Sequence, residues 1–294
     1  SRTLFRAASN SKLFVTVAVM QLVEQGKLDL QADVATLLAD IPLKNPHESP
    51  LRVWHLLTHT GGVDSFFLGT EARSAKLRPS LRAFFQEYPP TCVREPGTEI
   101  VYSNHGMALA ALIVEDVSGL PFHEYARRSI LDPLKMHHST FVEPLPKEMR
   151  DHLALADGSP HAGPFVIPNP VATLVTTADD MARFLHAMLG YHDGSTKFLR
   201  EETRQLIFQR QFSHHPNMPG VALGFFEHDS GGRYGSFHTG MRGHHSLVYL
   251  LPDEELGLFI VSSARQGSEA DAISSKLLDA LLGAKDRELV PLLF

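Results

Sequence analysis

From Leu13 to Val23 the chain runs Leu13, Phe14, Val15, Thr16, Val17, Ala18, Val19, Met20, Gln21, Leu22, Val23, which puts apolar side chains all round a helical wheel. A helix without a polar face has no side to give to water, so it must lie inside the core with other elements packed around it. The chain can supply those layers. Its 294 residues, 43% hydrophobic and 20% charged, suffice for one large domain or two closely joined subdomains.

The start of that helix carries chemistry. Ser9 and Lys12 are three residues apart and share one helical face, and the helix N-terminus favours negative charge. Below Lys12 the helix is dry, and desolvation lowers an amine's pKa, so Lys12 can act as general base toward Ser9. On these residues alone the plain reading stays open, with Ser9 an N-cap and Lys12 a snorkelling helix-start residue. Two further strings accompany them: Tyr102-Ser103-Asn104 behind a Pro-Gly turn, and His238-Thr239-Gly240 between two strand-like runs. Singly, Tyr102 reads equally as a turn cap, Asn104 as a residue bonding its own backbone, and His238 as a strand histidine. Together they outline a serine acyl-transfer site.

The order S-x-x-K, Tyr-x-Asn, His-Thr-Gly resembles the serine β-lactamase-like and penicillin-binding-protein superfamily, in the branch with class C β-lactamases, D-aminopeptidases and family VIII esterases. Further landmarks extend the resemblance over nearly the whole chain: Phe5 to Ala8, Met20 to Leu30, Leu56 to Gly62, Pro96-Gly97-Thr98, Thr176 to Phe184 and Leu223-Gly224-Phe225. It implies Ser9 as the acylated nucleophile and Lys12 as its base partner. Tyr102 would relay a proton to the leaving group and help activate the deacylating water, with its phenol depressed toward neutrality by Lys12. Asn104 would orient the substrate carbonyl or amide and fix Lys12. The backbone N–H groups of Ser9 and Met241 would form the oxyanion hole, and His238, Thr239 and Gly240 would line the substrate site. The activity implied is a serine hydrolase acting through an acyl-enzyme on esters or amides. Alternatives are β-lactamase or DD-carboxypeptidase activity and, in another class, a non-catalytic binding or assembly module retaining the fold.

One departure bears on substrate. His238 stands where lysine is common, and a neutral imidazole offers a substrate carboxylate no fixed cation, which favours esters or uncharged amides over penicillins and C-terminal D-Ala. Arg242, just past Met241, is either a carboxylate clamp or a solvated loop residue. His59-Thr60-Gly61 repeats the third motif, but it follows the helix-like stretch Leu51 to Leu57, so His238 is preferred. Asp229-Ser230-Gly231-Gly232 reads as a hairpin turn. The pairs His137-His138, His214-His215 and His244-His245 lack an acidic partner at ligand spacing, so no metal and no cofactor is expected. A net charge of −6 without a basic cluster gives no support for nucleic-acid binding. No run of eighteen apolar residues suggests a membrane span, the single Cys92 forms no internal disulfide, and the compartment stays unknown.

Periodicity gives an α+β layout: an antiparallel sheet flanked by helices beside a mostly helical lobe, with residues 30–219 as helical lobe and 1–29 plus 220–294 as sheet lobe of one catalytic domain, the site between them. Strands are expected at 221–228, 233–238, 244–251 and 256–263, a capping box from Thr177 and Asp180 opening a helix over 181–189, and a last helix from Ser268 through Leu282. The resemblance also implies a helix and two strands ahead of the nucleophile, where only eight residues stand. The apolar edge 256–263 is therefore expected to need cover from a missing N-terminal segment, from a neighbouring copy in a homo-oligomer, or from the tail 289–294.

Overall fold

The computed structural model describes residues 2–66, 71–72, 74, 77–155, 165–166, 170–191, 198–229, 234–263 and 268–282. At its centre is α1, Ser11–Glu24, in which every residue from Ser11 to Leu22 is buried. Phe14 of this helix stacks on Phe184 with ring centroids 4.2 Å apart and meets Phe141 edge-on at 5.6 Å. Short helices follow, among them α2, Val53–Leu57, and then α3, Asn104–Ser118, which packs along α1 with its own run His105 to Val114 buried. α3 is bounded as its sequence dictates: the Ser103 hydroxyl caps it by accepting from Gly106 N, and Gly119 ends it at φ 69°.

The sheet is a four-stranded antiparallel meander in sequence order: β1 Phe226–Asp229, β2 Tyr234–Met241, β3 His245–Leu251 and β4 Leu256–Ser262. β3 is buried at every position, whereas every residue of β4, the terminal strand among those described, is half-buried. Helices α4, Ala178–Met188, and α5, Ser268–Leu282, lie against β4. The expected α+β class holds.

The boundaries differ where backbone chemistry intervenes. Residues 221–225 do not begin β1, because Gly224 turns at φ 76° against α1: a Cβ there would come within 2.2 Å of Thr16 Oγ1. β2 runs on to Met241 instead of stopping at His238. α4 starts at Ala178, and only half of its capping box forms. The Thr177 hydroxyl accepts from Asp180 N, but the Asp180 carboxylate turns away to accept from His138 N and Ser139 Oγ. The expected turn at Ser230 to Gly232 and the tail 289–294 lie outside the described residues.

Four buried histidines tie this core to pH. Burial holds His55 and His105 down at about 4 and His238 at about 3, and keeps His59 well below the ordinary imidazole value. Each is neutral in the folded chain and ionises near 6.5 once unfolded, so the unfolded state takes up protons first as pH falls. The contribution is whole above pH 6.5 and is lost toward pH 4, with a slope of about 1.4 kcal/mol per pH unit for each histidine. Urea midpoints measured from pH 7 to 4.5 should therefore drop steadily, with uptake of more than one proton on unfolding. A flat profile down to pH 5 contradicts this.

Candidate active site

The chain enters the site through a short antiparallel ladder, Phe5–Arg6 with Val175–Thr176, extended by Ala7 N donating to Leu174 O at 2.9 Å. It then turns sharply. Ala8 sits at φ 47°, a region that costs a residue with a Cβ, and Ala8 to Asn10 form one 3₁₀ turn before α1. Ser9 thus lies in this turn, two residues ahead of the α-helix expected to begin with it, and stays half-buried while its neighbours are buried. The turn is stapled from both sides. Ser11 Oγ donates to Ala8 O at 2.5 Å and accepts from Leu174 N at 3.0 Å, while Asn10 Nδ2 donates to Ser246 Oγ, which donates to Ala7 O, both at 2.9 Å.

β2 meets this turn at Gly240. A Cβ on that glycine would lie 2.4 Å from Ala7 O, 2.8 Å from Ser246 Oγ and 2.9 Å from Ser9 N, so the third motif requires glycine for close backbone approach. Met241 follows at the end of β2 opposite His245, its side chain turned to solvent, so its amide and that of Ser9 belong to adjoining backbone.

Lys12 is wholly buried. Its Nζ donates to Ser9 Oγ at 2.9 Å and to Val171 O at 3.1 Å, and it stands 5.0 Å from the centroid of the Tyr102 ring. Among the described residues no carboxylate contributes to its environment, and desolvation drives its pKa well below the usual lysine range. Tyr102 moves the opposite way. Burial of its hydroxyl raises the phenol above its ordinary value, and the bond to Ser9 only partly offsets this, although the residue as a whole stays 38% exposed. Tyr102 is therefore a neutral phenol, not the depressed one the resemblance implies, because its hydroxyl sits at the dry bottom of the site and Lys12 brings it no charge.

His238 is buried on β2. Its Nδ1 donates to Thr239 O at 2.7 Å, which leaves Nε2 as a lone pair with no partner among the described residues. Burial holds it neutral. Thr239 is half-buried beside it. Asn104 opens α3 and its backbone N donates to Ser65 Oγ at 3.2 Å. The contact from Asn104 to Lys12 that the resemblance implies is not formed; Ser9 and Val171 take its place. Arg242 is neither a free clamp nor a solvated residue. Its guanidinium donates to Glu143 at 3.0 Å and to Ala172 O at 3.3 Å, on a carboxylate that also pairs Arg78 at 2.9 Å and Arg6 at 3.6 Å.

Sequence reasoning missed two members. His59, set aside as a repeat of the third motif, is 3% exposed with its ring 4.4 Å from that of Tyr102. It does follow a helix, α2, as expected, yet its backbone then turns to φ 56° and enters the site. The landmark run Leu56 to Gly62 was the available signal. The Val171 carbonyl, like any main-chain acceptor, has no side-chain signature. Among the described residues no group of three His, Cys, Asp or Glu side chains is placed to hold a metal ion, and no helix is long and apolar enough to cross a membrane.

Comparison with known proteins adds three findings. A family model described as Beta-lactamase matches residues 1–282. Among curated proteins the chain is 24% identical over 271 residues to "Protein flp" of Staphylococcus aureus (strain N315), covering 89% of this chain and 53% of that one, and 28% identical over 313 residues to an N-acetylmuramyl-L-alanine amidase of Bacillus subtilis (strain 168), covering 90% and 69%. The chain thus spans about half the length of the Staphylococcus relative. Among solved structures, an octameric penicillin-binding protein homologue from Pyrococcus abyssi superposes with a TM-score of 0.77 at 24% identity over 96% of this chain and 67% of that one.

Proposed function

Because the chain belongs to the Beta-lactamase family, we propose that it is a serine hydrolase that turns over esters or uncharged amides through an acyl-enzyme on Ser9. One observation carries this reading: a buried amine without a counter-charge, Lys12 Nζ, stands 2.9 Å from the only half-exposed hydroxyl of the nucleophile turn. A neutral amine there has a lone pair that can receive the Ser9 Oγ proton once the pair reorients. Lys12 takes it as Oγ attacks the substrate carbonyl, and the oxygen that gains the negative charge is met by the Ser9 and Met241 amides. The proton then passes from Lys12 by way of Tyr102 to the departing alcohol or amine. A neutral phenol suits this step, because it donates one proton while receiving another. Water completes the cycle along the same route in reverse, leaving Ser9 free and releasing the acid.

The neutrality of the site sets the substrate class. His238 lacks a charge at pH 7, and Arg242 is paired with Glu143, so neither of these two motif residues offers a substrate carboxylate a free cation. Esters are expected to exceed a chromogenic cephalosporin in kcat/KM by at least about tenfold, with His238→Lys narrowing the gap. Parallel assays of p-nitrophenyl butyrate and the cephalosporin check this. Preference for the cephalosporin assigns the chain lactamase or carboxypeptidase activity instead, and no turnover of either points to a binding module. The amidase name of the Bacillus relative supports amides as the second substrate class. The octameric state named for the Pyrococcus homologue, with the half-buried β4 edge, supports further copies of this chain as its protein partner.

A further inference from the structure

The two backbone N–H groups that flank Tyr102 both end on one residue. Val101 N donates to His59 O at 2.8 Å, and Ser103 N donates to His59 Nδ1 at 3.2 Å. Between those bonds the Tyr102 ring lies on the imidazole, with centroids 4.4 Å apart and the planes inclined by 41°. We propose that His59 is the positioning residue that clamps Tyr102 over Lys12 and Ser9.

The clamp depends on an unusual backbone. At φ 56° His59 occupies the left-handed region, shared among the described non-glycine residues only by Ala8, Lys135 and Glu255. From that conformation the carbonyl and the side chain of one residue reach the same extended segment. A strained backbone of this kind persists only where its surroundings hold it, and such residues gather at functional sites. A second cost points the same way. Because Nδ1 accepts from Ser103, the proton of the neutral ring is on Nε2, and among the described residues that buried donor has no partner, an arrangement that disfavours folding.

The other groups around the phenol show what is being held. Phe226 and His238 stand 6.2 and 6.1 Å from the Tyr102 ring and Lys12 Nζ 5.0 Å from its centroid, and Ser103 is anchored a second time as the cap of α3. The titratable groups facing Tyr102 are thus Lys12, His59 and His238. Tyr102 keeps an exposed flank, so without the clamp its ring can swing outward and its hydroxyl leave Ser9.

The kinetic consequence rests on the hydrolase reading; the placement of Tyr102 does not. Two variants divide the clamp. His59→Phe keeps a ring to stack but offers Ser103 N no acceptor, whereas His59→Asn keeps an acceptor, tolerates left-handed backbone and has no ring. With p-nitrophenyl butyrate, kcat is expected to fall about 10²-fold in His59→Phe and about tenfold in His59→Asn, with KM within about twofold of wild type. The resonance of ¹³Cζ-labelled Tyr102, assigned with Tyr102→Phe, should shift in both, and its titration should move down toward the ordinary tyrosine range as the phenol gains water. Unchanged Tyr102 resonance and titration in both variants overturn the inference, whatever happens to thermal stability. If they move while wild-type protein hydrolyses no ester, the clamp stands and the hydrolase reading fails.

Discussion

Replacing Lys12 by Met should abolish turnover while leaving the fold as stable as before or more so. The amine is wholly buried, without a carboxylate partner, and its pKa is held far down by desolvation. In the unfolded chain the same amine keeps the ordinary lysine pKa, so folding has to pull that pKa down against the cost of desolvation. The sign follows: a base whose folded pKa lies below its unfolded value weakens the fold at every pH below about 10.4, the more so as pH falls. Methionine has similar reach and no such cost. Stability held back at the functional residue is the usual mark of a site selected for chemistry. Activity should behave in the opposite way. Ser9→Ala and Lys12→Met should each lower kcat by on the order of 10⁴-fold or more, and the double variant should be scarcely worse, because residues acting as one unit are not additive. Lys12→Arg should be as inactive, since a guanidinium does not give up its proton near neutrality. Thermal unfolding set beside ester turnover decides the matter. A Lys12→Met protein with marked destabilisation and substantial remaining activity would reverse both halves of the argument.

The second large effect is expected from a single methyl group. Gly240→Ala places a Cβ 2.4 Å from Ala7 O and 2.9 Å from Ser9 N, both main-chain atoms of the nucleophile turn, and 2.8 Å from Ser246 Oγ. None is the end of a long flexible side chain. β2 is held by its ladder to β3, and Ala7 is held by Leu174 and by Ser246, so the turn and the strand have to part. Overpacking of this kind costs about 1 to 3 kcal/mol, and a displacement approaching 1 Å at a reacting atom costs about 10²-fold in rate. Gly240→Ala should therefore lose at least that factor in kcat with a lowered unfolding midpoint. Wild-type kinetics in this variant would mean that Ser9 and β2 are not in register for catalysis.

What could be read from residues alone follows the range over which each force acts. α1 was legible because its burial is written all round its own wheel, and the four strands because alternation and turn residues are local signals. Their ends were not: Gly224 breaks the expected first strand by turning against Thr16, more than two hundred residues away in sequence. The motif residues Ser9, Lys12, Tyr102 and His238 were legible as short patterns in a fixed order. Their states were less so, since the phenol of Tyr102 rises and the amine of Lys12 falls through burial supplied by the whole fold. His59 was passed over because a left-handed turn, not its neighbours in sequence, carries it into the site. The pairing of Arg242 with Glu143 spans 99 positions and joins two loops without a shared pattern. The Val171 carbonyl that receives Lys12 has no residue-type signature at all.

The central claim is that Ser9 is acylated through Lys12, and trapping the adduct tests it most directly. Folded protein treated with a fluorophosphonate, or with a slowly released ester, is followed by intact mass and then by peptide mapping. One equivalent should appear on the peptide carrying Ser9, and the same treatment should leave Ser9→Ala unmodified and Lys12→Met labelled far more slowly. An adduct on Ser11, whose hydroxyl is already committed to Ala8 O and Leu174 N, or no adduct on a protein shown to be folded, would contradict the account.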